Sequence, residues 1–310
     1  VGSEMCIRDS RLFDRDGTPA DLDLNGNGVI DASEINNAPV TPVTTSSVFA
    51  TDDQQYASVA MTPDGDFVIT WTNTRSGNAD IYARRFAANG QPLGEAFLVN
   101  TITTNDQKWS DVAIDAEGRF VVVWSSLGQE TGTTVPSYGI FARRFDENGQ
   151  AVGAEFQINT TTAGDQMLPS VSMDYRGNFG VAWQTLVGGT DTNIAVALFD
   201  WAGTPLLAET IVNVTTLGPQ TNPDIALAAG GRSFVVTWAS ADGSGTGVFA
   251  QLYAWDPVTL TWVGLPADLQ VNTTVAGDQR FASVSMDALG NFVVAWSGMG
   301  NQLNEEDLAE

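Results

Sequence analysis

The segment F-x-[VI]-x-W occurs five times, at Phe67–Trp71, Phe120–Trp124, Phe179–Trp183, Phe234–Trp238 and Phe292–Trp296. Its tryptophans lie 53, 59, 55 and 58 residues apart. A repeat at nearly fixed spacing obliges the chain to build one local structure again and again, and so decides the fold class before any single residue does. A Gln stands upstream of every copy, at Gln54, Gln107, Gln166, Gln220 and Gln279. An Asn after Val or Ile opens four of the units, at Asn100, Asn159, Asn213 and Asn272.

Each unit reads as four strands. In one copy Ser170–Met173 is a short first strand, Asp174-Tyr-Arg-Gly177 a turn, Phe179–Trp183 the second strand, Ile194–Phe199 the third, and the stretch into Ile211–Asn213 the fourth. Asp-x-x-Gly recurs at Asp115/Gly118, Asp174/Gly177 and Asp287/Gly290. Asp accepts backbone N–H groups at a turn and Gly supplies the positive φ of a hairpin. The second strand puts Phe, an aliphatic residue and Trp on one face, while Val121 and Val123 make the other face apolar too. A strand apolar on both sides must be covered on both sides. Four strands in roughly 55 residues with two buried faces predict an all-β chain, a β-propeller-like array in which each blade packs between others. Immunoglobulin-like arrays, with a period of about 100 residues, are twice too long.

The ends depart from the repeat. Residues 1–10, VGSEMCIRDS, contain the single Cys and match no unit. They resemble translated sequencing-adapter sequence and are left out of the fold reasoning. Residues 11–20 read as the tail of a preceding blade, since Arg11-Leu-Phe-Asp-Arg-Asp-Gly17 aligns with Arg144-Phe-Asp-Glu-Asn-Gly149. An insertion occupies 21–38, the tandem repeats 39–298, and an irregular acidic tail 299–310. The register predicts an array truncated at both ends.

The insertion carries Asp23-Leu-Asn-Gly-Asn-Gly28-Val-Ile-Asp31-Ala-Ser-Glu34, which satisfies D-x-[DN]-x-[DN]-G-x₅-E at every defined position. Ca²⁺ takes six to eight hard oxygens in flexible geometry. Asp23, Asn25 and Asn27 offer alternate side-chain oxygens, and Gly28 makes the sharp turn. The Val29 carbonyl is a backbone ligand, Asp31 acts directly or through water, and Glu34 closes the shell. Pro19 leaves no room for an entering helix. The loop resembles the single half-hand of dockerin modules. The repeats, over about residues 40–298, resemble the Trp-containing tandem β repeats of large bacterial surface and calcium-binding proteins. That resemblance implies an extracellular or cell-surface location and a role in adhesion or as a module of a larger protein.

Charge and composition narrow the partners. Thirteen Lys and Arg against 37 Asp and Glu give a net charge of −24, which repels nucleic acid and anionic lipid. The absence of His removes the commonest general base. No apolar run approaches the roughly 20 residues of a membrane helix. The repeated Gln residues are expected to satisfy backbone groups between blades, with a ligand channel as the alternative. Asp53, Asp106, Asp165 and Asp278 read as turn caps, and Arg84, Arg85, Arg143 and Arg144 as surface strand charge. Trp109, Trp201, Trp255 and Trp262 lie off the repeat register, as core or loop anchors or as platforms for a sugar ring. The expectation is a non-catalytic, calcium-binding extracellular scaffold with glycans or surface proteins as further partners. The alternative is a glycan-binding, lectin-like propeller or a glycan-hydrolysing one.

Overall fold

In the computed structural model of the chain the described residues are 9–10, 41–42, 52–75, 77–130, 135–188, 191–216 and 218–298. Among them there is no helix. A short pair, β1 (Asp9–Ser10) with β2 (Thr41–Pro42), precedes the repeats. The first sheet runs β3 (Asp53–Met61), β4 (Phe67–Arg75), β5 (Asn78–Phe86), β6 (Phe97–Leu98), each strand antiparallel to the next. The second runs β7 (Gln107–Ile114), β8 (Phe120–Leu127), β9 (Tyr138–Phe145), β10 (Phe156–Gln157). The third is β11 (Gln166–Met173), β12 (Phe179–Gly188), β13 (Asp191–Phe199), β14 (Pro205–Ile211). In the fourth, β15 (Thr221–Leu227), β16 (Ser233–Ala241), β17 (Thr246–Asp256) and β18 (Thr261–Gly264) are joined by β19 (Leu269–Gln270), which pairs β17. β20 (Gln279–Met286) and β21 (Phe292–Gly298) form a last pair. This is the all-β, β-propeller-like array of four-stranded repeats that the spacing predicts.

The chain divides into two compact units, Val1–Val122 with Arg143–Glu155, and Val123–Ala142 with Phe156–Glu310, so the division runs through the second sheet. The turns form for the reason read from sequence. The carboxylate of Asp174 accepts N–H groups from Arg176 (2.8 Å) and Asn178 (2.9 Å), and Gly177 takes φ +83°. Asp115 does the same for Glu117 and Arg119, and Asp287 for Leu289 and Asn291. Each carboxylate thereby satisfies donors that the hairpin leaves without a ladder partner.

The second strand is an inner strand in each of the four larger sheets. Phe120 through Trp124 are all wholly buried, as are Phe179, Val181 and Trp183 and, further on, Phe234, Val236 and Trp238. The repeated Phe stacks on an aromatic ring near the end of the third strand. Phe67–Phe86, Phe120–Phe145, Phe179–Phe199 and Phe234–Tyr253 have centroids 4.7–5.3 Å apart. In the second unit the core runs from sheet to sheet: Ala182, Val196 and Leu198 pack with Ile225, Leu227, Phe234 and Trp238. Such interdigitation makes the second strand's apolar faces worthwhile only where neighbouring sheets cover them.

One tryptophan departs from the expectation of burial. Trp296 is 41% exposed, because β20 and β21 have no third strand beside them among the described residues. This contrast gives a test. Trp183→Ala should cost about 3–5 kcal/mol in denaturant unfolding, the usual loss for a buried large aromatic. Trp296→Ala should cost less than about half of that.

Candidate functional site

Every first strand begins with the same backbone device. Tyr56, Trp109, Leu168, Asn222 and Phe281 each stand two residues after the repeated Gln, and all take φ between +53° and +57°. For residues other than Gly that conformation costs about 1–2 kcal/mol each. It accompanies a β-bulge: the register slips between Gln55 and Ser58, Met167 and Ser170, Thr221 and Asp224, and Arg280 and Ser283. The preceding Gln holds the incoming loop. Gln107 donates to the Thr104 carbonyl (3.1 Å) and Gln279 to that of Ala276 (3.0 Å), while each accepts from the repeated Asn, Asn100 or Asn272. All five Gln side chains are buried. The Gln residues do satisfy backbone groups, but those of their own incoming loop rather than groups between blades, and the bulge after them displays a side chain that differs from sheet to sheet.

In the first unit that displayed pair is aromatic. Tyr56 is half exposed, and its ring meets the half-buried Trp109 edge-on, with centroids 6.1 Å apart at 64°. Two residues further along each first strand, Ser58 Oγ donates to Asp111, and Asp111 accepts the Val112 N–H (2.9 Å). In the second unit the same position links three strands. Asp224 accepts from Ser170 Oγ (2.6 Å) and from the Val284 N–H (2.7 Å). These serines and aspartates tie first strands together just below the displayed residues.

The acidic residues that recur are likewise occupied by the frame. Asp106, Asp165 and Asp278 accept the N–H of Ala79, Tyr138 and Thr246 at the start of third strands, so the turn-cap reading holds for these three. The Asn that opens each unit accepts an N–H from the third strand (Ile81, Ile140, Ile194, Val248) and donates to Asp80, Glu130, Asn193 or Asp242. Glu155, Glu209 and Asp268 take the N–H that follows the same Asn one repeat earlier. Glu130 and Glu209 are pushed in opposite directions. Burial raises the Glu130 carboxyl above its usual value despite hydrogen bonds from Asn159 and Ser137. Burial acts the same way on Glu209, but hydrogen bonds from Thr160 and Thr161 outweigh it and hold that carboxyl low. An acid–base pair is often recognised by such divergence. Here both groups are committed to holding backbone and side-chain donors, and Asn193 fills the Glu130 role in the third sheet without any charge.

Two of the four paired arginines, Arg84 and Arg143, are tied into the frame rather than standing as surface charge. Arg84 is buried, donates from Nε to the Gly94 carbonyl (3.0 Å) and lies over the Phe86 ring. Arg143 donates to the Val99 carbonyl (2.8 Å) and covers Phe145. Asp23, Asn25, Asn27, Val29, Asp31 and Glu34, the expected calcium ligands, lie outside the described residues. Of the off-register tryptophans, Trp109 sits on a bulge, while Trp255 and Trp262 flank a cavity in the second unit. No sequence signal announces the bulges except the constant offset from Gln, because Tyr, Trp and Phe ordinarily favour regular strands.

No family profile and no curated protein sequence matches the chain. Solved structures do. An α-L-arabinanase from Penicillium chrysogenum complexed with arabinobiose is 12% identical, with a TM-score of 0.52 over 78% of this chain and 74% of that one. A GH93 α-L-arabinofuranosidase of Fusarium graminearum with arabinobiose is 13% identical, with a TM-score of 0.51 over the same shares. At such identities the likeness shows the fold. The expectation of a non-catalytic scaffold is corrected against these two, since both are glycan-hydrolysing enzymes.

Glu130 offers a pH test of its role as acceptor for Asn159 and Ser137. A carboxyl whose folded value is raised contributes stability that is fully present below its unfolded value, near 4.5, and is lost as pH rises through the folded value. Glu130→Gln removes that loss. The difference in Tm between wild type and variant should therefore move in favour of the variant as pH is raised from about 4.5 to 7.

Proposed function

We propose that this chain is a glycan-directed propeller, binding saccharides on the aromatic side chains displayed at its first-strand bulges and acting on them as the hydrolases of this fold do. The single observation that carries the reading is the Tyr56–Trp109 pair. Two aromatic rings stand at an angle on a backbone held in a costly conformation, with Tyr56 half exposed beside the Ser58–Asp111 link. An aromatic face offers a flat apolar surface with a polar rim, suited to the C–H face of a sugar ring. Strain kept at the same place in five sheets, under side chains that vary, fits a display position better than a packing position.

Arabinobiose, bound by both solved structures named above, supplies the first class of ligand to try. Isothermal titration with linear arabino-oligosaccharides should show binding, weakened about tenfold or more by Tyr56→Ala, equivalent to about 1.4 kcal/mol. Incubation with arabinan should release reducing ends. Titrations that show no saccharide binding, or binding that Tyr56→Ala and Trp109→Ala leave unchanged, would remove the proposal.

For the Asp23–Glu34 loop we propose Ca²⁺, held by the ligands read from sequence, and for the protein an extracellular or cell-surface location. Ligand spacing supports the first, and high negative charge with a glycan ligand supports the second. Calorimetry at millimolar Ca²⁺ should give one binding event in the wild type and none in Glu34→Gln. Identical heats from the two proteins would dismiss the ion.

A further inference from the structure

The fourth sheet breaks the repeat in two places, and the two breaks meet at one cavity. The first is in the turn between β15 and β16. In the second and third sheets and in the β20–β21 pair the residue four after the turn Asp is held by that Asp: Arg119 by Asp115 (2.7 Å), Asn178 by Asp174 (2.8 Å) and Asn291 by Asp287 (2.8 Å), whereas the first sheet has Thr62 in the Asp position. In the fourth sheet the Asp position is Ala228 and the turn is one residue longer, closing from the Ala228 N–H to the Ser233 carbonyl with Arg232 just before it. Arg232 is exposed, and among the described residues its guanidinium has neither an ion pair nor a hydrogen bond. The chain carries 37 acidic residues and 13 basic ones, so an arginine stripped of its local carboxylate runs against the general trend.

The second break is the hairpin that follows β17. In the first three sheets the third strand ends at the aromatic residue that stacks on the repeated Phe, at Phe86, Phe145 and Phe199. In the fourth sheet the chain continues past the equivalent Tyr253 to Asp256 and returns as β18. The added ladder faces Trp255 with Trp262, edge-on at 5.6 Å, and Trp262 is anchored edge-on against the buried Phe234 at 5.1 Å. The Trp255 N–H donates to the Arg232 carbonyl (2.8 Å), which fixes the new hairpin to the altered turn.

Between them is a cavity of about 330 Å³ lined by Arg176, Asn178, Gly230, Arg232, Trp255 and Trp262 among others. The turn of the third sheet forms its other wall. The Tyr175 N–H donates to the Ala229 carbonyl (3.2 Å), and Arg176 is steadied by Nε to Tyr175 Oη (3.1 Å) with its guanidinium over that ring. Gly231 has to be Gly, since a Cβ there would fall 2.3 Å from an Asp174 carboxylate oxygen. A Cβ on Gly230 would meet nothing closer than 3.9 Å, so the floor beside Arg232 stays open.

We infer that this cavity binds an acidic saccharide, with a sugar ring against the Trp255–Trp262 pair and its anionic group on Arg232, assisted by Arg176 and Asn178. A guanidinium fork matches a carboxylate in two parallel hydrogen bonds, and an aromatic wall takes the ring's C–H face. The class of ligand rests on the glycan reading above, whereas the site lies within the second unit and shares no residue with Tyr56 and Trp109.

The test is isothermal titration of the full chain with three probes: an oligogalacturonate, a sulfated galactan oligosaccharide and a neutral arabino-oligosaccharide. Oligogalacturonate should bind, and Arg232→Gln and Trp255→Ala should each weaken it about tenfold or more. Arg232→Gln should leave the neutral titration unchanged, and Tyr56→Ala should leave the acidic one unchanged. Because Arg232 is exposed, and unpaired among the described residues, its replacement tests recognition apart from folding. Equal binding of the sulfated probe with the same Arg232 dependence supports an anionic sugar of either kind; binding of the uronate alone supports a carboxylate site. Failure of both acidic probes to bind, or acidic binding indifferent to Arg232→Gln, overturns the inference even if the neutral sugar binds. Acidic binding without neutral binding leaves it standing while removing the bulge proposal.

Discussion

Burial of the second strand on both faces is the constraint on which the rest depends. A strand such as Phe120–Trp124, with every residue from Phe to Trp wholly buried, cannot be satisfied by its own sheet. Its hydrogen bonds are made in plane, and its side chains need material above and below. In the second unit that material comes from the next sheet's own core residues, so that Ala182 and Val196 share a cluster with Ile225 and Trp238. The polar links follow from the same need. First strands brought side by side leave N–H groups that their ladders do not reach, and the Asp224 carboxylate supplies an acceptor to one of them across to Val284.

Repetition therefore separates two kinds of residue. Those that return at fixed offsets, Gln, Asn and the turn Asp, are bonded to backbone in sheet after sheet, and their chemistry is consumed there. Glu130 and Glu209 show how completely: their carboxyls are pushed apart, yet both serve as acceptors in the frame. Positions at which the backbone repeats and the side chain does not are different in kind. The bulge residues belong to this second group, and there a side chain can be changed without dismantling a sheet; the turn holding Arg232 is a third case, where the repeat itself is broken.

Much of this was legible in the sequence. The F-x-[VI]-x-W spacing located every second strand, and the Asp-x-x-Gly turns were placed correctly because a short acceptor and a left-handed Gly leave few other uses. First strands were drawn too short: β11 begins at Gln166 rather than Ser170, since the bulge at Leu168 hides the alternation that marks a strand. Arg84 was misjudged because its burial depends on a carbonyl at Gly94 and a ring at Phe86, neither visible from the Arg-Arg pair itself. The tryptophans off the register were singled out, but the cavity beside Trp255 needed the loss of a carboxylate at Ala228 and the longer hairpin to be seen together in space. The non-catalytic expectation leans on the absence of His, which says nothing of what a display position carries.

The central claim is that doubly buried second strands form the frame and that variable residues on it meet the ligand. Hydrogen–deuterium exchange of the whole chain, with and without an arabino-oligosaccharide, tests it most directly. The account predicts that Phe120–Trp124, Phe179–Trp183 and Phe234–Trp238 exchange slowest in either state. Protection gained on adding the sugar should fall on residues 54–58 and 107–111. Second strands that exchange as fast as the turns, or protection confined to the loops that hold Asn100 and Asn159, would contradict it.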